Sequence, residues 1–236
     1  MIEELEHRRF YPRVTKELNL GDMRVAIVHH WFVSLAGGER VVDTIASMFP
    51  NADVFTLFLD EQKLPPAIKK LKITTSVLDK IPAARRVHRH LLPFYPVAVE
   101  MLDLSDYDLV ITSDSGPMKG VVTGLNATHI CYCHSPMRYL WDGHSAYLRG
   151  MSPLMRTIFG LASHYVRNWD YSAAQRVDYF IANSNYVARR GFGNITGETV
   201  RSFIRPSTLH KASWPVSRKI TTSRSGDWFH ISAPIF

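Results

Sequence analysis

The sequence predicts an α/β fold, a single doubly wound and mainly parallel sheet with irregular termini. Three observations predict it. Short apolar runs alternate with segments of helical period, the runs end in small polar residues, and the first run leads through a glycine turn into a helix.

Residues 1–22 read as an appended leader, helical or loosely ordered, with Met23 a candidate start. The run Arg24-Val-Ala-Ile-Val-His29 is the first buried strand. Gly37 and Gly38 follow, then a helix over 39–49 with Val42, Ile45, Ala46 and Phe49 on one face. A second strand is predicted over 53–59 and a short third over 73–76, with Pro65 and Pro66 punctuating the link.

A basic helix is expected over 83–92, broken at Pro93 and Pro96 and resuming over 97–102. Residues 108–112 form the next strand, ending in Ser113, Asp114, Ser115 and Gly116, and 128–134 the one after. Pro136 stops that strand, because it removes a donor and fixes φ. A long helix is predicted over 153–176, its apolar stripe made by Leu154, Ile158, Leu161, Tyr165 and Trp169, with proline in the first turn. Residues 179–182 are the last clear strand. Ser184 is a plausible N-cap for a helix starting at Tyr186.

Beyond Gly191 no period of either kind is sustained, so 191–236 is expected to be an irregular, disordered basic tail.

Of the 236 residues, 46% are hydrophobic and 21% charged, a soluble composition with enough apolar material for a sizeable core. No apolar run approaches the roughly 18 residues of a spanning helix, and the polar start is unlike a signal peptide, so a cytoplasmic location is expected. Cys131 and Cys133, two apart on one strand, point the same way and read as buried thiols rather than a disulfide. A zinc site from His129, Cys131, Cys133 and His134 is the alternative; it lacks a second distant ligand pair, and no metal is expected.

A formal charge of +7 and a pI near 9.5 favour anionic partners such as phosphates or an acidic lipid surface. Part of that charge is the cluster Arg85, Arg86, His88, Arg89, His90, and part lies after Gly191. The cluster is either a solvated helix face or an acceptor-phosphate or membrane contact. No nucleic-acid motif accompanies it.

The richest stretch is His129 to Asp142. Where its strand ends, it gathers His134, Ser135, Arg138, Tyr139, Trp141 and Asp142: an imidazole, a forked cation, hydroxyls and flat faces. In open α/β sheets ligands sit beyond the carboxyl ends of strands, which is where this loop lies. His29 and His30 end another strand, so three imidazoles can meet at that edge.

Gly37 and Gly38 either form a tight turn or let the helix N-terminus approach a phosphate. A dinucleotide fingerprint and a P-loop are both absent, which disfavours hydride transfer and nucleotide hydrolysis. Ser113, Asp114 and Ser115 with Lys119 make a third polar strand end, without the Gly-x-Ser-x-Gly elbow of a serine hydrolase.

Several motifs occur together: Val28-His-His-Trp31, Gly37-Gly-Glu-Arg40, Phe49-Pro-Asn-Ala-Asp53, Asp106-Tyr-Asp-Leu-Val-Ile111 and Lys119-Gly120. With them come Cys131-Tyr-Cys-His-Ser-Pro-Met-Arg-Tyr-Leu-Trp-Asp142, Ala173-Ala-Gln-Arg-Val-Asp178 and Ile181-Ala-Asn-Ser184. In this order they resemble the N-terminal, acceptor-side domain of family-four retaining glycosyltransferases of the GT-B fold, of the bacterial surface-polysaccharide type.

The resemblance implies a Rossmann-like domain over 23–190, one half of a GT-B fold, with transfer of a hexosyl group from a nucleotide sugar to a glycan or lipid-linked acceptor. It implies His134 as the catalytic group beside the transferred sugar and Gly37 and Gly38 against the donor pyrophosphate. Arg138, Lys119, Arg85, Arg86 and Arg89 would face acceptor or phosphate; His29, His30, Ser113, Asp114 and Ser184 would line the rest of the cleft. The donor is a substrate, and no cofactor or metal is implied. Partners are the nucleotide sugar, the glycan or lipid-linked acceptor, and the cytoplasmic face of a membrane touched peripherally.

Such enzymes carry a second α/β domain that binds the nucleotide, and after Gly191 no such pattern follows. The expectation is a truncated gene or shifted frame, and a chain inactive alone. The alternative is a non-catalytic module for a phosphorylated glycolipid or a partner subunit; a third reading supplies the second domain from a separate chain.

Overall fold

A computed structural model describes residues 23–188 and 202–203. The expected leader 1–22 and nearly all of the expected tail lie outside these residues. The described residues fall within one compact unit, Arg24–Ala212, apart from Met23.

In chain order the elements are β1 (Val25–Phe32), α1 (Gly37–Met48), β2 (Asp53–Leu59), β3 (Lys72–Thr75), α2 (Ala84–Val87) and α3 (Tyr95–Glu100). Then come β4 (Leu109–Asp114), β5 (Thr128–Cys133), α4 (His144–Leu148), α5 (Pro153–Ala174), β6 (Tyr179–Ala182) and β7 (Ser202–Phe203). The strands form one sheet of order β3-β2-β1-β4-β5-β6-β7. Every neighbouring pair is parallel. This is the Rossmann-like order, in which the direction of winding reverses between β1 and β4 and opens a crevice at their carboxyl ends.

The central strands carry continuous apolar runs because both faces are covered, as parallel sheets require: all eight residues of β1 except Trp31 are buried, and all of β4. The main core joins Val28, Phe58, Tyr95, Val99, Val110 and Val166 with Met137 and Leu140. The last two are fully buried residues of the loop after β5. Each contributes about 1.5–3 kcal/mol by burial, enough to pin that loop against the sheet. Cys131 and Cys133 are free buried thiols in a smaller cluster with Ala182 and Val187, as expected of a same-face pair.

β2 and β6 match their predicted bounds. β1 runs on past the histidine pair, because Trp31 and Phe32 still pair with Phe58 and Leu59 of β2. β4 likewise includes Ser113 and Asp114, which had read as loop. The sheet also passes the boundary expected at residue 190: Ser202–Phe203 pairs with Ile181 and Ala182. A two-residue strand leaves no alternation for a sequence reading to find.

Two further corrections concern helices. The basic helix is one turn of α2 followed by a 3-10 segment, His88–Phe94, and Ala83 before it sits at φ 62°. In α5 the apolar stripe predicted to face the core is exposed at Leu154, Ile158, Leu161 and Tyr165. The buried side is instead Ser163, Val166, Asp170 and Ala173. Small residues and one carboxylate are what a close helix–sheet approach leaves room for, and a polarity pattern hides them.

Candidate functional site

The carboxyl ends of β1 and β4 lie side by side, with His29 in register with Ser113. His29 Nδ1 is 3.2 Å from the Ser113 carbonyl oxygen. That oxygen only accepts, so Nδ1 carries the proton. Nε2 is thereby turned toward Glu39 Oε1, 4.0 Å away, and has no hydrogen-bond partner among the described residues.

Glu39 is placed by α1. It stands in the first turn, and its Oε2 accepts from the Ala36 N–H at 2.9 Å, closing the helix N-terminus. Burial pushes its carboxyl up, but the His29 imidazole and the backbone N–H groups outweigh this and hold it below the ordinary range.

His134 follows β5, in register with the end of β4. Its N–H donates to the Asp114 carbonyl at 2.8 Å, and its own carbonyl accepts from Asn183 Nδ2 at 2.8 Å. The ring Nε2 sits 2.8 Å from Ser113 Oγ. Burial, then repulsion from His29, lowers its pKa to about 4 against a smaller opposing pull from Glu39. The ring is therefore neutral at neutral pH, able to accept or donate one hydrogen bond to a polar ligand.

Gly38 closes the triangle. A Cβ there would lie 3.5 Å from His29 Cε1 and 3.9 Å from His134 Nε2. The first turn of α1 thus reaches the two imidazoles with bare backbone, while Gly37 beside it faces open space. Open space and the positive end of a twelve-residue helix suit an anionic group.

The His30 ring lies 4.2 Å from that of His29, tilted at 55°, and is buried, with Nδ1 unpartnered among the described residues. Burial first, then its imidazole neighbours, hold it well below the ordinary histidine range. The three imidazoles predicted to meet do so.

The basic cluster borders the same edge. His88 packs edge-on against Trp31 at 4.9 Å, and Tyr95 Oη donates to its carbonyl at 2.5 Å. Arg85 and Arg86 are exposed; Arg85 is paired with Asp79 at 2.8 Å, so Arg86 is the freer cation. The side chain of Arg89 lies outside the described residues. Arg138 is exposed at the tip of the loop after β5. Ser184 is the N-cap expected of it, Oγ accepting from the Val187 N–H at 3.2 Å.

Two predicted cleft residues turn inward instead. Asp114 is fully buried, Oδ1 accepting from the Gly116 and Met118 N–H groups at 2.9 Å each. Lys119 is 2% exposed, held between Asp114 Oδ2 at 3.3 Å and Asp170 Oδ1. Burial would discharge the ammonium, yet the two carboxylates keep it strongly raised; Asp114 stays above the usual carboxylate range because its own burial outweighs Lys119. A lysine so placed neutralises buried acids and has no reach to a phosphate. Its polar neighbours in the sequence made it look like a ligand group.

Asp170 was missed. Its other oxygen takes the Trp141 indole N–H at 2.9 Å, tying the loop after β5 to α5. The available signal was that Asp170 is the lone acid between Asp142 and Asp178. Tyr132 and Asn183 were missed as well. The Tyr132 hydroxyl and Asn183 Oδ1 are buried without partners among the described residues, and the Tyr132 ring lies 5.0 Å from that of His134.

Among the described residues no group of three or more His, Cys, Asp or Glu is arranged to hold a metal. His129 faces the opposite side of β5 from His134, bonded to Thr112 Oγ1 at 3.1 Å.

A neutral imidazole, a glycine-fronted helix terminus and unpaired buried polar atoms together suit binding of a polar, partly anionic molecule. Searches of curated proteins and of solved structures found no match. A family model described as Glycosyltransferase Family 4 matches residues 35–192, more than half of the chain, taking in α1, β2 to β6, Gly38 and His134 but not β1 with His29 and His30. The chain therefore belongs to glycosyltransferase family 4.

Proposed function

We propose that the protein takes part in transferring a hexosyl group from a nucleotide sugar to a glycan or lipid-linked acceptor in polysaccharide synthesis, on the cytoplasmic face of a membrane. The observation that carries this is the meeting of Gly38, His29 and His134 at the switch point of the sheet. Gly37 and Gly38 would lie against the donor diphosphate, whose charge the α1 terminus favours. His134, neutral and braced by Ser113 and Asn183, would orient the sugar. The unpaired atoms of His30, Tyr132 and Asn183 offer further hydrogen bonds to hydroxyls.

In this reading the nucleotide itself is gripped by a second α/β domain, supplied from outside the described residues or by another chain, and the described domain alone transfers nothing. Stabilising the departing diphosphate needs more positive charge than one helix terminus gives. The test is transfer of labelled hexose from uridine- and guanosine-diphosphate sugars into the lipid and glycan fractions of expressing cells. Transfer should be lost with His134→Ala. Label entering those fractions equally with that variant would overturn the role of His134. Tight nucleotide-sugar binding by residues 23–190 alone, in a calorimetric titration, would overturn the need for a second domain.

Arg86 and Arg85, exposed beside the cleft rim, favour one other reading, a non-catalytic module that holds a phosphorylated glycolipid or a partner subunit. Lipid-phosphate binding lost with Arg86→Ala, with no transfer from any donor, would select it.

A further inference from the structure

Ser113 meets two imidazoles with two different atoms. Its carbonyl oxygen lies 3.2 Å from His29 Nδ1, and its Oγ lies 2.8 Å from His134 Nε2. A carbonyl oxygen only accepts, whereas a hydroxyl both donates and accepts, so the second contact can run in either direction. The two directions are not equivalent.

Burial decides between them. Ser113 is fully buried at the end of β4, and among the described residues its Oγ has no hydrogen-bond partner other than His134 Nε2. If Nε2 carried the proton and donated it, the serine O–H would be left inside the protein with no acceptor, the arrangement folded proteins avoid. If the hydroxyl donates, its proton is satisfied and Nε2 is the bare nitrogen. The neutral ring then carries its proton on Nδ1. Turning the ring over would bring Cε1 against the hydroxyl and orphan it again.

The rest of His134 is held for that contact. Its N–H is bonded to the Asp114 carbonyl, its own carbonyl to Asn183 Nδ2, and the Tyr132 ring lies 5.0 Å from its ring. Its Nδ1 makes no hydrogen bond among the described residues, and the half-buried ring leaves that nitrogen open, whereas Nε2 of His29 is sealed. One residue thus sets the proton of both imidazoles, His29 through a carbonyl and His134 through a hydroxyl.

We propose that Ser113 is a positioning residue whose hydroxyl fixes His134 as the Nδ1–H tautomer, so that the site offers its ligand a hydrogen-bond donor at His134 and not a base. A neutral imidazole in water favours the opposite, Nε2–H form, so the preference has to be imposed by the protein. This deepens the transferase reading and rests on it only for what the donor is used for. The tautomer is read with neither sugar donor nor acceptor present, so the two readings fail separately.

The experiment is long-range proton–nitrogen correlation spectroscopy of the full chain, labelled with nitrogen-15 and held near neutral pH, with the His134 signals identified by their loss in His134→Ala. Nε2 of His134 should resonate as the unprotonated nitrogen and Nδ1 as the protonated one. Ser113→Ala should reverse the two, and Ser113→Thr, which keeps a hydroxyl, should restore them. In the labelled-hexose assay Ser113→Ala should lower transfer on the order of tenfold, about one hydrogen bond's worth, with Ser113→Thr recovering most of it. A protonated Nε2 in the unaltered chain would sink the proposal whether or not any variant folds. So would an unreversed tautomer in a folded Ser113→Ala, or transfer unchanged while the tautomer reverses. Where the unaltered chain transfers nothing, the transferase reading fails and the nitrogen spectra alone decide the role of Ser113.

Discussion

The Trp141 indole N–H donates to Asp170 Oδ2 at 2.9 Å, while the other oxygen of that carboxylate takes the Lys119 ammonium. One side chain of α5 thus holds both the loop that follows His134 and the buried charge behind β4. Asp170→Asn keeps an oxygen for Trp141 but leaves Lys119 with Asp114 alone. Breaking a buried pair from one side costs about 3–5 kcal/mol, and urea unfolding should show a loss of that order. Trp141→Phe removes the hydrogen bond, along with part of the ring that packs on the core and lies under Arg167, and the unsatisfied buried acceptor alone should cost about 1–3 kcal/mol. Equal losses in the two variants would mean that the ion pair adds nothing.

Repulsion between His29 and His134 is the second cause, after burial, of the low pKa of His134. His29→Gln removes that repulsion and leaves burial in place. The His134 titration, followed by the imidazole proton resonances, should move up from about 4 and stop short of the ordinary value near 6.5. Glu39→Gln removes an attraction and should move it the other way. If both variants shift it in the same direction, these charges do not govern the site.

Gly120 and the Trp169 ring are in contact so close that a Cβ at position 120 would overlap Cη2 and Cζ2 of the indole. Trp169 cannot yield freely, because its Nε1–H donates to Glu100 at 2.8 Å. Gly120→Ala should therefore destabilise by about 1–3 kcal/mol, the usual cost of overpacking. Thermal unfolding of the variant checks this, and an unchanged midpoint would mean that the indole swings away.

Much of the sheet was legible because parallel strands buried on both faces are written as apolar runs: β2 and β6 were bounded correctly on that ground alone. The meeting of His29, His30 and His134 was legible too, since residues at strand carboxyl ends must share an edge. What hid was side-chain direction. Asp114 and Lys119 look in sequence like cleft residues, yet they are buried against each other, and the second carboxylate that holds Lys119, Asp170, lies 51 residues away. Periodicity located α5 but chose the wrong face, since it reports polarity and the buried face is lined by Ser163, Ala173 and a paired acid.

Ala83 is the one non-glycine residue at positive φ among the described residues, at 62°. It follows Pro82 and starts the turn that carries Arg85 and Arg86. The left-handed region costs an alanine about 1–2 kcal/mol and a glycine almost nothing. Ala83→Gly should relieve that strain, offset in part by the greater freedom of the unfolded chain, for a net gain of about 0.5–1 kcal/mol. A lowered thermal midpoint would show that the turn bears no strain.

Acid should unfold this protein from the histidines outward. Burial holds His129 and His134 at about 4 and His30 well below the ordinary value, against about 6.5 in the unfolded chain. A depressed pKa means the unfolded state takes up the proton first, so the contribution is whole above about 6.5 and is lost as pH falls toward about 4. Each imidazole adds a slope of about 1.4 kcal/mol per pH unit in that window. Glu39, also depressed, adds to the loss at lower pH, below its ordinary carboxylate range. Asp114 is raised, so the folded state takes its proton first and partly offsets them as acid is added. His129→Gln isolates one imidazole away from the cleft: its urea midpoint, measured from pH about 6.5 down to about 4.5, should fall less steeply than that of the unaltered chain by one imidazole's slope. Parallel curves would show that His129 is not held neutral by its burial beside Thr112.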